Sequence, residues 1–530
     1  MLDVVIGGGT VVDGSGIPGY KADVGIVGEK IHAIGDLSNA NARRTINASG
    51  MKVTPGFIDT HTHSEGALLL EPQHSNALRQ GITTVFLGID GMSYAPLSHQ
   101  NYLIYRHWLS GLLGQPPEAL DMSSVASFRS HYHKKVAVNT AYLIPHGTIR
   151  LETVGFKDVP LTTNDLNKAR QLIVEGFEQG AVGFSTGSSY YPGAWGDTQE
   201  LIELCRTVKE FDGIYMCEPR KANPDRAYGG GGVSEALEIT RQSSVKLHLA
   251  HYRTGEHTAG KIDEIMGEID DAKNNGLDIT LDIYPYPTGS TIPISFLPGY
   301  AQEGGPTAIL QRLKNPVERQ KIADYLNNEY ESLDRQLEAT IISYHPNNPK
   351  LEGMSLEDIS KRRKISLGET LLEILLEGNL QVGYVIPPPV SVGLWKQISK
   401  DCVQLLSRPD YMVCSDITPA GSMPHPRTYG AFPRFLGRLR RQFGMLSLSQ
   451  MIQRMTDNPA RRFGLIKRGR IQKGYFADIV VFDDKHVIDT ATYDDPIQFP
   501  IGIPFVLVNG HVVVDNEQCT GVLAGAAIPE

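Results

Sequence analysis

The sequence predicts an α/β protein, a (β/α)8 TIM barrel with a small β-sandwich domain built from both chain ends. Eight short β-branched runs alternate with longer helical stretches, the pattern of repeated βα units around a parallel sheet. Gly-rich β segments of similar texture stand at both ends of the chain. A length of 530 residues, 41% hydrophobic and 21% charged, supplies enough core for such an assembly and sets aside disordered chains.

Taken in order, residues 1–54 carry Val4–Val12, Ala22–Val27 and Lys30–Ile34 between Gly-rich turns and predict a small antiparallel sheet, the N-terminal part of the small β domain. Residues 55–464 form the barrel. Its strands are expected at Gly56–Asp59, Thr83–Gly88, Val136–Ile144, Ala181–Ser185, Gly213–Cys217, Val245–Ala250, Leu277–Ile283 and Tyr411–Ser415. Apolar positions recur at three and four residues in Leu166–Gln179 and Ile262–Asn275, as in helices that cover a barrel. The interval at about 286–405 is too long for one βα connection and must hold an insertion, with polar helical material at Pro316–Arg335. Gly229–Gly232 has no phosphate-loop context and reads as a loop. Residues 465–530 return to strands at Ala477–Phe482 and Pro504–Val514, the latter with an Asn509-Gly510 hairpin signal, and complete the small β domain.

Charge narrows the function. The net charge is −9 and basic residues gather only in short groups such as Arg438, Arg440 and Arg441, which gives nucleic acid or an anionic membrane little to bind. A small-molecule substrate is expected, and a homo-oligomer stays open. Five cysteines, odd in number and far apart, argue against a disulfide framework or a CxxC zinc site and suit a reducing compartment. With no signal-peptide pattern at Met1 and no run of about 18 apolar residues, the cytoplasm is the expected location.

The sharpest local feature is Pro55-Gly-Phe-Ile-Asp-Thr-His61-Thr-His63. Period-two alternation puts both imidazoles on one face at the end of a strand, where a pair can chelate one divalent ion. Alone, the pair reads equally as hydrogen-bonded surface histidines. Asp90, Glu218, His251 and Asp416 also end candidate strands. Any one of them could be a helix cap or a loop residue, but their joint placement at one mouth predicts a metal site.

These residues resemble the amidohydrolase superfamily and, within it, the N-acyl-D-amino-acid deacylase (D-aminoacylase) family. The resemblance runs through Gln80-Gly-Ile-Thr-Thr, Gly180-Ala-Val-Gly-Phe-Ser-Thr-Gly, Asp282-Ile-Tyr-Pro-Tyr, Ser415-Asp416, Pro424-His-Pro-Arg-Thr-Tyr-Gly and Asn458-Pro-Ala-Arg-Arg-Phe-Gly-Leu to Gly474-Tyr-Phe-Ala-Asp-Ile-Val-Val-Phe-Asp. It implies a divalent metal cofactor, zinc foremost with manganese or cobalt as alternatives, as one or two ions. His61, His63 and Asp416 would hold one position, and Asp90, Glu218 and His251 would surround a second. Similar D-aminoacylases usually carry Cys where Asp90 stands and His where Glu218 stands; two carboxylates harden that site toward oxygen-preferring ions. The strand Val136–Ile144 has no lysine for a carboxylated bridge, which makes Asp90 the candidate bridge.

The resemblance further implies hydrolysis of N-acyl-D-amino acids to a carboxylate and a free D-amino acid, by hydroxide drawn from a metal-activated water. Asp416 would take the proton and return it to the leaving amine, with Asp59 positioning a ligand or the substrate amide. Tyr190, Arg253, Tyr284 and Arg427 would hold the substrate carboxylate. His146 and His425 could line the pocket, and Cys217 and Cys414 read as packed thiols. Two alternatives share parts of this pattern: a hydantoinase- or dihydroorotase-like hydrolase of cyclic amides, and a non-catalytic interaction homologue.

Overall fold

The computed structural model describes residues 1–328 and 336–529. Eight strands follow one another as parallel neighbours in chain order: β1 Phe57–Asp59, β2 Ile82–Leu87, β3 Asn139–Pro145, β4 Gly183–Gly187, β5 Ile214–Glu218, β6 Lys246–Leu249, β7 Ile279–Ile283 and β8 Tyr411–Val413. The ring closes between β1 and β8 at its mouth. There Asp416 N donates to His61 O at 2.9 Å and His63 N to Ile417 O at 2.9 Å.

Alternation along each strand divides the core. On β2, Val85 and Leu87 face the surrounding helices, whereas Phe86 points inward with Ile58, Leu143, Ile214, Met216 and Met412. Ala460, Phe463, Leu465, Ala526 and Ile528 join that inner cluster, so segments near the C-terminus fill the barrel interior away from the mouth. Each such side chain contributes roughly 1.5–3 kcal/mol by leaving water. The outer helices are amphipathic and well terminated; Thr163–Glu178 starts on a capping box in which Thr162 and Asp165 satisfy each other's backbone N–H groups.

Both chain ends build the flanking sheets. One orders Lys30–Gly35, Asp23–Val27, Leu2–Gly7 and Ala42–Asn47; the other runs Gln518–Cys519, His511–Asp515, Phe505–Val508, Ile479–Phe482, Lys52–Pro55, Thr10–Val11 and Tyr20–Lys21. Val4, Ile6, Val24 and Ile26 of the first pack with Val53, Ile479, Val481 and Leu507 of the second. The expectation of a purely antiparallel N-terminal sheet is corrected. Leu2–Gly7 pairs parallel with Ala42–Asn47, and Thr10–Val11 pairs parallel with Lys52–Pro55. The run Val4–Val12 is two strands, because Gly8, at φ +76, passes the chain from one sheet to the other beside a segment that makes the same crossing. The Asn509-Gly510 hairpin forms with φ of 47 and 78, both positive as a two-residue primed turn requires.

The insertion contains an antiparallel sheet of Ser290–Thr291, Gly383–Val385 and Ile341–Tyr344, with helices that include Pro316–Asn328 and Val392–Ser407. The helix expected to reach Arg335 is described as far as Asn328, and positions 329–335 lie outside the described residues. Among the described residues no helix is long and apolar enough to cross a membrane.

Candidate metal centre

His61 and His63 follow β1 into the barrel mouth. Asp59, the last residue of β1, accepts from Ser415 N at 2.9 Å and His61 N at 3.3 Å, and its other oxygen accepts from the Ser415 hydroxyl. This carboxylate ties the His pair to the segment bearing Asp416. Burial pushes its pKa up to about 7 against those hydrogen bonds.

The imidazoles meet two carboxylates. His61 Nε2 lies 3.1 Å from Asp90 Oδ2 and 3.7 Å from Asp416 Oδ1; His63 Nε2 lies 3.4 Å and 3.3 Å from the same atoms. His251 Nε2 is 4.0 Å from Asp90 Oδ2. Two triads result, His61–Asp90–His251 and His61–His63–Asp416, each with ligand atoms within 4.8 Å of one another. His61 belongs to both.

Three of these side chains leave backbone in the left-handed region: Asp90 at φ 53, His251 at φ 35 and Asp416 at φ 55. Asp and His tolerate that region better than most residues, yet each still stores strain on the order of 1–3 kcal/mol that the surroundings must offset. For His251 the restraint is a 2.6 Å bond from its N–H to Asp282 Oδ1, and for Asp416 it is the bond to His61 O. Gly187 allows Asp90 its place, since a Cβ there would stand 2.4 Å from Asp90 O.

Two ionised carboxylates set the field around the imidazoles. Burial disfavours protonated imidazole, but Asp90 and Asp416 outweigh it and raise His61 to about 9 and His63 to about 10. Burial likewise opposes ionisation of Asp90 and Asp416, and the neighbouring His61 and, for Asp416, the Arg427 guanidinium hold both well below the usual carboxylate range. Burial, then repulsion from His61, lowers His251 to about 4, so its imidazole is neutral and free to donate a lone pair. Such a field and such donors suit a divalent cation. His61 Nδ1, His63 Nδ1, Asp90 Oδ1 and Glu218 Oε2 are buried polar atoms without a hydrogen-bond partner among the described residues, which adds to the fit.

Glu218 is placed apart from both triads. It is buried at the end of β5, and burial followed by repulsion from Asp90 raises its pKa to about 7. A second position made of Asp90, Glu218 and His251 is therefore redrawn as Asp90 and His251 with His61, Glu218 bordering it.

The four carboxylate-recognition candidates gather around Tyr284 and the strand Ser290–Thr291. Arg427 is fully buried; its Nη1 is 2.7 Å from Asp416 Oδ2 and its Nη2 donates to Ser290 O at 3.1 Å. Arg253 donates from Nη2 to Tyr284 Oη at 2.9 Å and from Nη1 to Pro287 O at 2.9 Å. Both guanidiniums lie against the Tyr284 ring, 4.8 Å and 4.7 Å from its centroid. Tyr190 Oη is 3.1 Å from Thr291 Oγ1, and burial raises its phenol well above the ordinary value.

His425 is engaged: Nδ1 accepts from Arg427 N at 3.1 Å and Nε2 is 3.1 Å from Tyr493 Oη. His146 is 2.7 Å from Glu200 Oε1, and the other oxygen of Glu200 pairs with Arg150, so His146 serves a buried brace. Cys217 and Cys414 are buried thiols.

Sequence reasoning gave Asp282 no role. At the end of β7 it holds His251 N with one oxygen, while the other accepts from Thr60 Oγ1 at 2.7 Å and lies 3.1 Å from His248 Nε2. Its place in Asp-Ile-Tyr-Pro-Tyr, with the carboxylate on an inward register of a barrel strand, was the available signal.

Comparison with known proteins adds an independent line. A family model described as "Amidohydrolase family" matches residues 393–514. D-aminoacylase of Alcaligenes xylosoxydans xylosoxydans is 33% identical over 99% of this chain and 97% of its own length. A solved D-aminoacylase with a binuclear metal center superposes with TM-score 0.81 at 31% identity, covering 99% of each chain. The N-acyl-D-glutamate deacylase of Bordetella bronchiseptica, complexed with zinc and a phosphonate inhibitor that mimics the tetrahedral intermediate, gives TM-score 0.82 at 30% identity over 100% of each chain. A D-hydantoinase at 16% identity and TM-score 0.57, covering 99% of this chain and 98% of that one, shares the fold alone.

Proposed function

This chain belongs to the D-aminoacylase family of the amidohydrolases, and from that premise we propose that it is a metal-dependent hydrolase of N-acyl-D-amino acids, releasing a carboxylate and a free D-amino acid. The observation that carries the reading is the convergence of His61, His63, His251, Asp90 and Asp416 at the mouth of the barrel. The cyclic-amide alternative is the weaker one, since hydantoinases are the more distant relatives.

His61, His63 and Asp416 would hold one cation, and Asp90 with His251 would hold or bridge a second. A divalent cation supplies Lewis acidity, which brings the pKa of water toward neutrality and polarises a carbonyl oxygen. Asp416 would take a proton from the attacking water and hand it to the departing nitrogen, since one carboxylate can serve as base and then acid. Asp59 and Asp282 orient the ligand-bearing segments, and both approach them through backbone N–H groups. For the substrate carboxylate, Arg427 would offer the N–H groups that do not donate to Ser290 O, supported by Arg253 and Tyr284, with Tyr190 against Thr291.

The test is metal analysis coupled to a stereochemical screen. Chelated protein should lose turnover of N-acetyl-D-amino acids and regain it with zinc, manganese or cobalt. Full activity in metal-free protein, or equal rates on the L series, would overturn the reading.

A further inference from the structure

Behind Tyr493 and His425 lies a second cavity, of about 280 Å3. Tyr286, Trp395 and Tyr493 give it aromatic walls, and Arg434, Arg438 and Asp489 give it charge. The Arg434 guanidinium sits between two of these rings, 4.8 Å from the Tyr286 centroid and 5.8 Å from that of Trp395. Its Nη1 donates to Asp489 Oδ2 at 2.9 Å and its Nε to Pro285 O at 3.1 Å. Arg438 donates from Nε to Asp489 Oδ1 at 2.7 Å and from Nη2 to Asp489 O at 3.0 Å.

One buried carboxylate thus faces two guanidiniums, and a positive charge is left over. Arg434 Nη2 and Arg438 Nη1 donate to none of the described residues, which leaves their hydrogens available. We propose that this cavity binds a small organic carboxylate, at a site separate from the barrel mouth. The guanidinium forks match a planar carboxylate, the rings take the apolar remainder, and the volume falls just under the range of about 300–1,000 Å3 typical for drug-sized ligands. Separation comes from Tyr493, whose hydroxyl is 2.8 Å from Thr288 Oγ1 and 3.1 Å from His425 Nε2. His425 in turn accepts from Arg427, so the cavity and Asp416 lie at opposite ends of the series Tyr493, His425, Arg427. The site does not depend on which amide the barrel mouth hydrolyses.

Trp395 lines the cavity, whereas Trp108 and Trp195 are buried elsewhere, so tryptophan emission reports on it. Sodium propionate, titrated into the full-length protein at constant ionic strength, should give a saturable change that propionamide does not. Arg438, with a side chain 40% exposed, tolerates replacement; Arg438→Gln should weaken propionate at least tenfold while turnover stays unchanged. Asp489→Asn, if it folds, should bind propionate more tightly. The proposal falls if no saturable change occurs, if propionamide matches propionate, or if Arg438→Gln binds propionate as the parent does, since the anion would then sit elsewhere, for instance against Arg427.

Discussion

Arg427 Nη1 lies 2.7 Å from Asp416 Oδ2, and both side chains are withdrawn from solvent. The pair keeps Asp416 ionised inside the protein and holds the guanidinium between Asp416, Ser290 O and the Tyr284 ring. A buried charge pair is costly to break on one side only, on the order of 3–5 kcal/mol, because the remaining charge is left without compensation. The base and the residue meant to grip substrate are therefore not independent.

Replacing Asp416 separates proton transfer from architecture. Asp416→Asn keeps the shape and can still accept from His61-side donors, but it cannot take a proton from water. Turnover should fall by about a hundredfold or more. The circular dichroism spectrum should stay close to the parent, and elemental analysis separates a lost ligand from a lost base; near-normal turnover at unchanged metal content would assign the proton to another group.

Asp282 should act on the metal through His251. With Asp282→Ala, the His251 N–H loses the 2.6 Å acceptor that restrains its left-handed backbone, and Thr60, the residue before His61, loses its acceptor. Effects of this kind typically cost 10–100-fold in metal affinity or activity. Zinc titration should show weakened binding, and excess zinc should restore part of the turnover. Unchanged zinc affinity would leave Asp282 a purely structural group.

Much of this was readable from the chain. Barrel strands are buried on both faces, so they appear as continuous apolar or β-branched runs such as Ile82–Leu87, and chemistry-bearing residues at their ends stand out. The D-aminoacylase resemblance and the barrel fold agree with the full-length relatives. Hidden from the sequence were effects that depend on distant partners. The parallel pairing of Leu2–Gly7 joins segments some 40 residues apart in the chain. Nothing local to Asp90, His251 or Asp416 announces a left-handed backbone, because the restraints come from other strands. The sheet inside the insertion, from Ser290, Ile341 and Gly383 segments, is made of strands too short to show a period.

His74 should make the protein acid-sensitive. It is 2% exposed with Nε2 unpartnered, and burial lowers its pKa to about 4. An unfolded histidine titrates near 6.5, so as pH falls the unfolded chain takes the proton first. This residue costs nothing above about pH 7, and stability declines through the window from about 6.5 to about 4, by up to roughly 3 kcal/mol. His74→Asn suits the backbone, whose φ is 46, and removes the titration. Melting temperatures at pH 7 and pH 5 should differ less for the variant than for the parent; parallel pH profiles would refute the assignment.

Recognition of the substrate carboxylate by Arg427 makes the most discriminating prediction. Of its five N–H groups, one donates to Ser290 O, and Nη1 meets Asp416 as an ion pair, which leaves others, including the buried Nε, for an incoming acid. A charge-assisted bond contributes about 1.5–3 kcal/mol, so Arg427→Met should lower kcat/KM for an N-acyl-D-amino acid by about ten- to a hundredfold or more. Part of that loss comes from Asp416, which the variant leaves without its cation, and this part falls equally on every substrate. The corresponding carboxamide substrate isolates it, because it has no charge for Arg427 to hold. A loss several-fold larger for the acid than for the amide would measure recognition directly. Equal losses would mean that Arg427 serves Asp416 alone and that Arg253 and Tyr284 carry the contact with substrate.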